Sequence, residues 1–200
     1  MVLVDLHIHT VYSGDSTIRP KLIVDQLHAH PMFEGVAITD HNTLDGYFRT
    51  LELAKVYKDL KIFPGIEIAT SQGDITILGV EEKPKLPMTL ESATDFAKET
   101  YGAIVIPHPF RSMGIGDLTF NIEAHAIEVL NPTATLQENT LAQELAKTKG
   151  LPGIAGTDAH NASEMWTVST EIKAQPADEN IIESIRKGKA RTIIARKMRL

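Results

Sequence analysis

Five short apolar runs in this chain each lead into a histidine or an acid, and that recurrence limits the possible folds more than any other feature. Val2-Leu3-Val4 leads into Asp5-Leu6-His7-Ile8-His9-Thr10, and Gly35-Val36-Ala37-Ile38-Thr39 into Asp40-His41. Ile62-Phe63-Pro64-Gly65-Ile66 ends in Glu67, Ala103-Ile104-Val105-Ile106-Pro107 in His108-Pro109, and Gly153-Ile154-Ala155-Gly156-Thr157 in Asp158-Ala159-His160. Short apolar runs bounded by turn residues read as buried strands. In an alternating β/α protein the C-terminal ends of parallel strands share one face. Residues far apart in the chain then converge there: His7, His9, His41, Glu67, His108, Asp158 and His160. Asp15, on the loop after the first strand, makes eight. His7 and His9 are two apart, so on a strand they point the same way and form a claw for a divalent metal.

Helical patterns separate the runs. Pro20 suits a first helical turn, with Leu22, Ile23, Leu27 and His30 following at helical spacing. A second pattern runs from Gly46 to Lys58, and Thr89 caps a third from Leu90 to Tyr101. A fourth starts at Thr135 or Gln137 and stops at Gly150. Asp178 caps a fifth, which ends at Gly188. Ile75 to Val80, Ala126 to Leu130 and Arg191 to Ala195 are further strands. Seven or eight strands alternating mostly with helices predict an α/β fold. Ligands from five strands favour a closed barrel, because a ring lets all of them reach one axis. At 200 residues the chain is short for an eightfold barrel, which predicts a trimmed or distorted, TIM-like one forming a single domain over 1–200.

Composition narrows the chemistry. There is no cysteine, so any metal must be held by imidazole and carboxylate. Such ligands suit Zn²⁺, Mn²⁺ or Fe²⁺. Eight of them serve two ions, or three. A bound metal lowers the pKa of its water towards ~7, which makes hydroxide available at neutral pH. Two ions roughly 3.5–4 Å apart also clamp phosphate oxygens. A net charge of −6 points away from long nucleic acid bound through a broad basic surface, and it does not exclude a small phosphate-bearing substrate, because bound metals would reverse the local sign. No apolar stretch reaches the length of a membrane span, and no basic segment precedes an apolar one at the N-terminus. A cytoplasmic location is the default expectation; nothing in the sequence addresses oligomeric state.

These stretches resemble the PHP (polymerase and histidinol phosphatase) family. The resemblance is carried by Asp5-Leu6-His7-Ile8-His9-Thr10, Thr39-Asp40-His41, Pro64-Gly65-Ile66-Glu67, Pro107-His108-Pro109 and Gly156-Thr157-Asp158-Ala159-His160. Ser13-Gly14-Asp15-Ser16 is similar to the loop after the first motif, and Ile127-Glu128-Val129-Leu130-Asn131 to a further strand. The resemblance implies a distorted (β/α)7 barrel with the metal site at the C-terminal ends of the strands, and metal-dependent hydrolysis of phosphoesters. It implies that His7, His9, Glu67 and Asp158 hold a first ion, and that Glu67 bridges to a second, also held by His108. Asp15, His41 and His160 are implied as the set for a third. One departure concerns the strand after the glutamate, where many relatives carry a further histidine. Asp74-Ile75-Thr76-Ile77-Leu78-Gly79 offers Thr76 instead, and a neutral hydroxyl is a poor ligand for a transition metal.

Other residues extend the expected site. Arg111, two residues past Pro109, is expected to grip a substrate phosphate through two parallel hydrogen bonds. Asp40 is expected to orient His41 or another imidazole, with a helix-capping role as the alternative. His160 or His108 is expected to protonate the leaving alkoxide. Asn131 lines the pocket or forms a turn before Pro132, and Tyr12 stacks on a base or covers the site. His28 and His30 lie two apart on a helix and so diverge. His125 stands at the wrong end of its strand, and Trp166 is expected to pack. The expected activity is hydrolysis of a small phosphomonoester, nucleotide-like or histidinol-phosphate-like, or of oligonucleotide ends. The alternatives are an amidohydrolase-type C–N hydrolase, which often bridges its metals with a modified lysine where this chain has Glu67, and a non-catalytic module that metals only stabilise.

Overall fold

The structure, a computed structural model, describes residues 2–172 and 179–193. The chain runs β1 (Val2–Ile8), α1 (Pro20–Ala29), β2 (Phe33–Ile38), α2 (Asp45–Ala54), β3 (Lys61–Thr70), β4 (Gly73–Leu78), α3 (Leu90–Glu99) and β5 (Ala103–Ile106). A 3-10 segment, Gly116–Asn121, precedes β6 (Ala126–Leu130), α4 (Leu136–Lys149), β7 (Gly153–Ala155), β8 (Ser169–Ile172), α5 (Glu179–Arg186) and β9 (Ala190–Ile193). The helix signals act where expected. Thr89 and Thr135 each form a capping box, with Ser92 and Glu138. Gly150 ends α4 in the left-handed conformation, φ 65°, which a glycine adopts without a Cβ penalty. Asp178 and residues 194–195, expected as a cap and a strand end, lie outside the described residues.

The nine strands of the described residues form one sheet in the order β7-β6-β5-β4-β3-β2-β1-β8-β9. Strands β1, β2 and β3 pair in parallel, as do β5, β6 and β7. The segment after β7 comes round to β1: Asp158 N–H donates to His7 O at 2.8 Å and His9 N–H to Ala159 O at 3.1 Å. Seven strands thus close a ring at the end that carries the histidines. At the other end, β8 inserts antiparallel against β1 and splays the seam open. This is a distorted TIM-like barrel.

Strand β4 departs from the expected parallel ring. It follows β3 through a tight hairpin and runs antiparallel to both β3 and β5. Its first residues, rather than its last, therefore lie on the histidine-bearing face.

Side-chain alternation sorts the core. On β3, Phe63, Gly65 and Glu67 fall on one side. Phe63 packs with Val2, Val4, Leu6, Leu78 and Val105 inside the ring, where Ile182 and Ile185 of α5 also pack. Glu67 meets His7 and His9 on the same side. A register irregularity in β1 between Asp5 and Ile8 lets the apolar residues and the histidines share that interior. Outside the ring, α1 and α2 cover β1 and β2 through Ile23, Leu27, Tyr47 and Ile38. Helices α3 and α4 cover β4 to β6 through Ala93, Ala97, Leu145 and Ile104. Among the described residues, no helix is long and apolar enough to cross a membrane.

Candidate metal centre

All eight ligand-type residues converge at the closed mouth of the ring. Four of them make a tight cage. His7 Nε2 and His9 Nε2 are 3.1 Å apart. Glu67 Oε2 lies 3.3 Å from His7 Nε2 and 3.1 Å from His9 Nε2. Asp158 Oδ1 lies 3.4 Å from His7 Nε2 and 3.2 Å from His9 Nε2. A tetrahedral centre with bonds of about 2.0–2.1 Å has ligand–ligand edges of about 3.3–3.4 Å. The cage therefore has the dimensions of a divalent cation's ligand shell, with all four residues buried.

The bonds behind the imidazoles set which nitrogen faces the cage. His7 Nδ1 donates to Glu128 Oε1 at 3.0 Å, which turns Nε2 towards the cage. Glu128 is itself buried, and its Oε2 accepts from His108 N–H and from Asn131 Nδ2, both at 2.9 Å. His9 Nδ1 lies 3.0 Å from Ser13 Oγ, which also accepts from His41 N–H at 3.0 Å. Gly156 passes directly behind His7, where an added Cβ would lie 2.3 Å from His7 Cβ and 2.5 Å from Glu128 Oε1. Only glycine fits there. His108 and Asp158 adopt left-handed backbone, φ 25° and 50°, a strain that non-glycine residues hold only where the surroundings impose it.

Two further groups adjoin the cage. His9, Asp15, His41 and His160 form one. Asp15 Oδ2 lies 3.3 Å from His160 Nε2 and 3.5 Å from His41 Nε2, while His160 Nδ1 donates to Asp158 O at 2.8 Å. Glu67, Asp74 and His108 form the other. Glu67 Oε1 accepts from His108 Nε2 at 3.2 Å, so its two oxygens face different groups. Asp74, not anticipated from sequence, sits at the start of β4. It was obscured by the expectation that ligands stand at strand ends, which the antiparallel course of β4 inverts. The one available signal was an aspartate just past the hairpin glycine, Gly73. Thr76 is buried, and its hydroxyl has no hydrogen-bond partner.

The electrostatics fit a site built for positive charge. Burial opposes the imidazolium of His7, but the carboxylates of Glu67, Asp158 and Glu128 outweigh it and raise its pKa well above the ordinary value. His9 is also opposed by burial, yet hydrogen bonds to Asp158 and Glu67 raise it to about 9. Glu67 and Asp158 are held well below the usual carboxylate range, since the charge of His7 and bonds from neighbouring imidazoles overcome their burial. Protons on His7 and His9 thus occupy the role that a cation would take. Asp74 is raised to about 7 by burial and by the charge of Glu67.

The remaining expected residues are placed as follows. Arg111 Nη1 donates to Asp158 Oδ2 and Thr133 Oγ1, so the guanidinium reaches the mouth of the site. Both oxygens of Asp40 accept from Thr10, through its N–H at 2.5 Å and its Oγ1 at 2.7 Å. Among the described contacts it holds no imidazole; it anchors the loop after β1 instead. The reason is geometric, since the Asp40 carboxylate lies against Thr10 and Gly46. Asn131 is buried and joins Glu128 to the mouth. Tyr12 is 44% exposed on the loop that follows His9. His28 stacks on Tyr57, and His30 Nδ1 accepts from Phe33 N–H. His125 Nδ1 accepts from Ile104 N–H, and Trp166 packs edge-on against Phe33. None of these last four adjoins the cage.

Known proteins share this framework. Residues 5–127 match the family model of the PHP domain, and residues 137–190 match that of the PHP-associated segment. The uncharacterized protein MJ1587 of Methanocaldococcus jannaschii is 34% identical over 139 residues, which cover 64% of this chain and 80% of that protein. A solved two-domain protein from Bacteroides vulgatus, containing a predicted PHP-like metal-dependent phosphoesterase, superposes with a TM-score of 0.80 at 18% identity. The match takes in 96% of this chain but only 64% of that one. An amidohydrolase from Chromobacterium violaceum, solved with bound sulfate, superposes at 0.66 with 19% identity over 80% of this chain and 88% of its own. At these identities the two likenesses are of fold. The PHP domain model, however, runs from Asp5 into β6 and so takes in the strands that bring His7, His9, Glu67 and His108 together. The chain belongs to the PHP domain family and has its metal-dependent phosphoesterase-like fold.

Proposed function

We propose that the protein is a metal-dependent phosphoesterase that hydrolyses a small phosphomonoester, nucleotide-like or histidinol-phosphate-like, or oligonucleotide ends. The observation that carries this reading is the cage of His7 Nε2, His9 Nε2, Glu67 Oε2 and Asp158 Oδ1, in which the imidazole nitrogens lie 3.1–3.4 Å from each other and from both carboxylates. Bound divalent ions, Zn²⁺, Mn²⁺ or Fe²⁺, supply a low-pKa water and positive charge beside the phosphate oxygens. His7, His9, Glu67 and Asp158 would hold one ion and Glu67 with His108 a second, and two ions are the proposed working state.

The chain's own groups do the rest. Glu128 fixes His7, and Ser13 lies against His9, so each presents Nε2 to the cage. Arg111, bonded to Thr133 and Asp158, has further N–H donors with which to hold a phosphate in a fixed orientation. His160 is partly exposed, with Nδ1 fixed on Asp158 O and Nε2 beside the Asp15 carboxylate. It is placed to carry a proton on Nε2 and pass it to the leaving alkoxide. His108 is too deeply buried for that role. Tyr12, exposed beside His9, offers a ring for a substrate base.

The test is phosphate release from nucleotides, sugar phosphates, histidinol phosphate and p-nitrophenyl phosphate by protein loaded with Mn²⁺ or Mg²⁺. A dihydropyrimidine serves as the C–N substrate. The expected result is phosphate release with Mn²⁺ exceeding that with Mg²⁺, since imidazoles are weak Mg²⁺ ligands. Turnover of the dihydropyrimidine alone would replace this reading with the amidohydrolase one.

A further inference from the structure

Asp74 is a buried carboxylate, 3% exposed, whose Oδ1 has no hydrogen-bond partner. Its backbone N–H donates outside the hairpin, to Met113 O at 2.8 Å. Ala69 pairs with Asp74 and Glu67 with Thr76 across β3 and β4, so Asp74 shares a face of the sheet with Glu67. Donor atoms of Glu67, Asp74 and His108 all lie within 4.8 Å of one another. Two carboxylates lie together there, and His108 Nε2, which bonds Glu67 Oε1, is the imidazole beside them. Burying an ionised carboxylate without a partner is costly, and a chain retains one where a cation balances it. Two neighbouring atoms are also unpartnered among the described residues, His108 Nδ1 and the Thr76 hydroxyl; the hydroxyl is neutral and cannot balance that charge.

We propose that Asp74 is a metal ligand, completing with Glu67 and His108 a second cation position beside the His7–His9 cage. The position has two carboxylates and one imidazole, against two of each in the cage. Oxygen-rich ligands suit Mn²⁺, and the carboxylate takes up the coordination that Thr76 leaves open. Glu67 joins the two positions, with Oε2 on the cage and Oε1 on His108.

This assignment rests on the reading of the cluster as a metal centre, and its test reads metal rather than turnover. The full chain, stripped with chelator, is dialysed against Mn²⁺ and its bound manganese counted, with electron paramagnetic resonance recording whether the ions are spin-coupled. Wild type is expected to bind two ions at the joined positions with a coupled spectrum. Asp74→Asn, and the smaller Asp74→Ser, are expected to lose one equivalent, or to bind it at least 100-fold more weakly, and to give an uncoupled signal. Thr76→Val is expected to match wild type within twofold. An unchanged count and a coupled spectrum in both Asp74 variants would overturn the assignment. So would loss of the ion in Thr76→Val with retention in the Asp74 variants. A wild type that binds two Mn²⁺ through Asp74 yet hydrolyses no phosphoester supports this assignment and sinks the proposed reaction instead.

Discussion

Arg111 and Asp158 share a bond that leaves the carboxylate double-sided: Oδ2 accepts from the guanidinium while Oδ1 faces His7 and His9 at 3.4 and 3.2 Å. The arginine thus touches the cage without entering it. If the guanidinium's remaining donors hold the phosphate, as proposed, Arg111→Ala is expected to raise KM for a phosphomonoester about tenfold or more. Bound metal should be unchanged. Arg111→Lys should not restore KM, since an ammonium lacks the planar fork. Steady-state kinetics with elemental analysis of the same samples checks this; loss of metal in Arg111→Ala would assign the residue to the cage instead.

Glu128 predicts a metal-binding defect without touching the metal. In Glu128→Gln one oxygen can still accept from His7 Nδ1, but the new amide nitrogen faces two donors, His108 N–H and Asn131 Nδ2. Loss of such a supporting bond costs about 10–100-fold in metal affinity. Competition with a chelating dye measures it, and an affinity within twofold of wild type would contradict the role.

The metal-free protein should lose stability as pH rises. His9 has its folded pKa raised from 6.5 to about 9, and His7 is raised as well. Between pH 6.5 and 9 the folded state keeps protons that the unfolded state has released, so unfolding becomes easier with rising pH. That contribution is fully present below pH 6.5 and lost through pH 9. A drop of several degrees in Tm is expected, at about 2–4 °C per kcal/mol for a chain of this size. Metal competes with the same protons, so the loaded protein should gain stability over the same range. Calorimetry at pH 6.5 and 9, with and without Mn²⁺, reads both signs.

Asp5 ties β1 to the segment that closes the ring. It accepts from Thr157 N–H at 3.0 Å, Thr157 Oγ1 at 2.5 Å and its own strand's His7 N–H at 3.2 Å, all within the core. Burial still raises its pKa to about 6, against those bonds. Asp5→Ala leaves the N–H groups of Thr157 and His7 without this acceptor, while Thr157 Oγ1 keeps His7 O at 3.2 Å, and should cost about 2–4 kcal/mol in urea unfolding. Thr157→Val should cost less, about 1 kcal/mol.

The parts of this molecule that were legible in its sequence follow local rules. Capping threonines, the αL glycine and apolar runs ending in histidine each act through neighbours a few residues away. The convergence of His7, Glu67, His108 and Asp158 needed only that those strands run in parallel, and they do. What escaped was set by direction and register. Nothing within Gly73–Leu78 states that β4 runs antiparallel, so Asp74 fell at the end expected to lie far from the site. Strand β8 is four residues, Ser-Thr-Glu-Ile, too short and polar to show a period. Asp40 sits beside His41 in the chain, yet its bonds go to Thr10, thirty positions away, a partner that only the closed ring supplies.

The most direct test of the central claim is an anomalous difference map at the manganese absorption edge from crystals grown with Mn²⁺. The cage predicts a strong peak bounded by His7 Nε2, His9 Nε2, Glu67 and Asp158. Full Mn²⁺ in the crystal solution with no peak there, or with peaks only on surface carboxylates, would contradict the account.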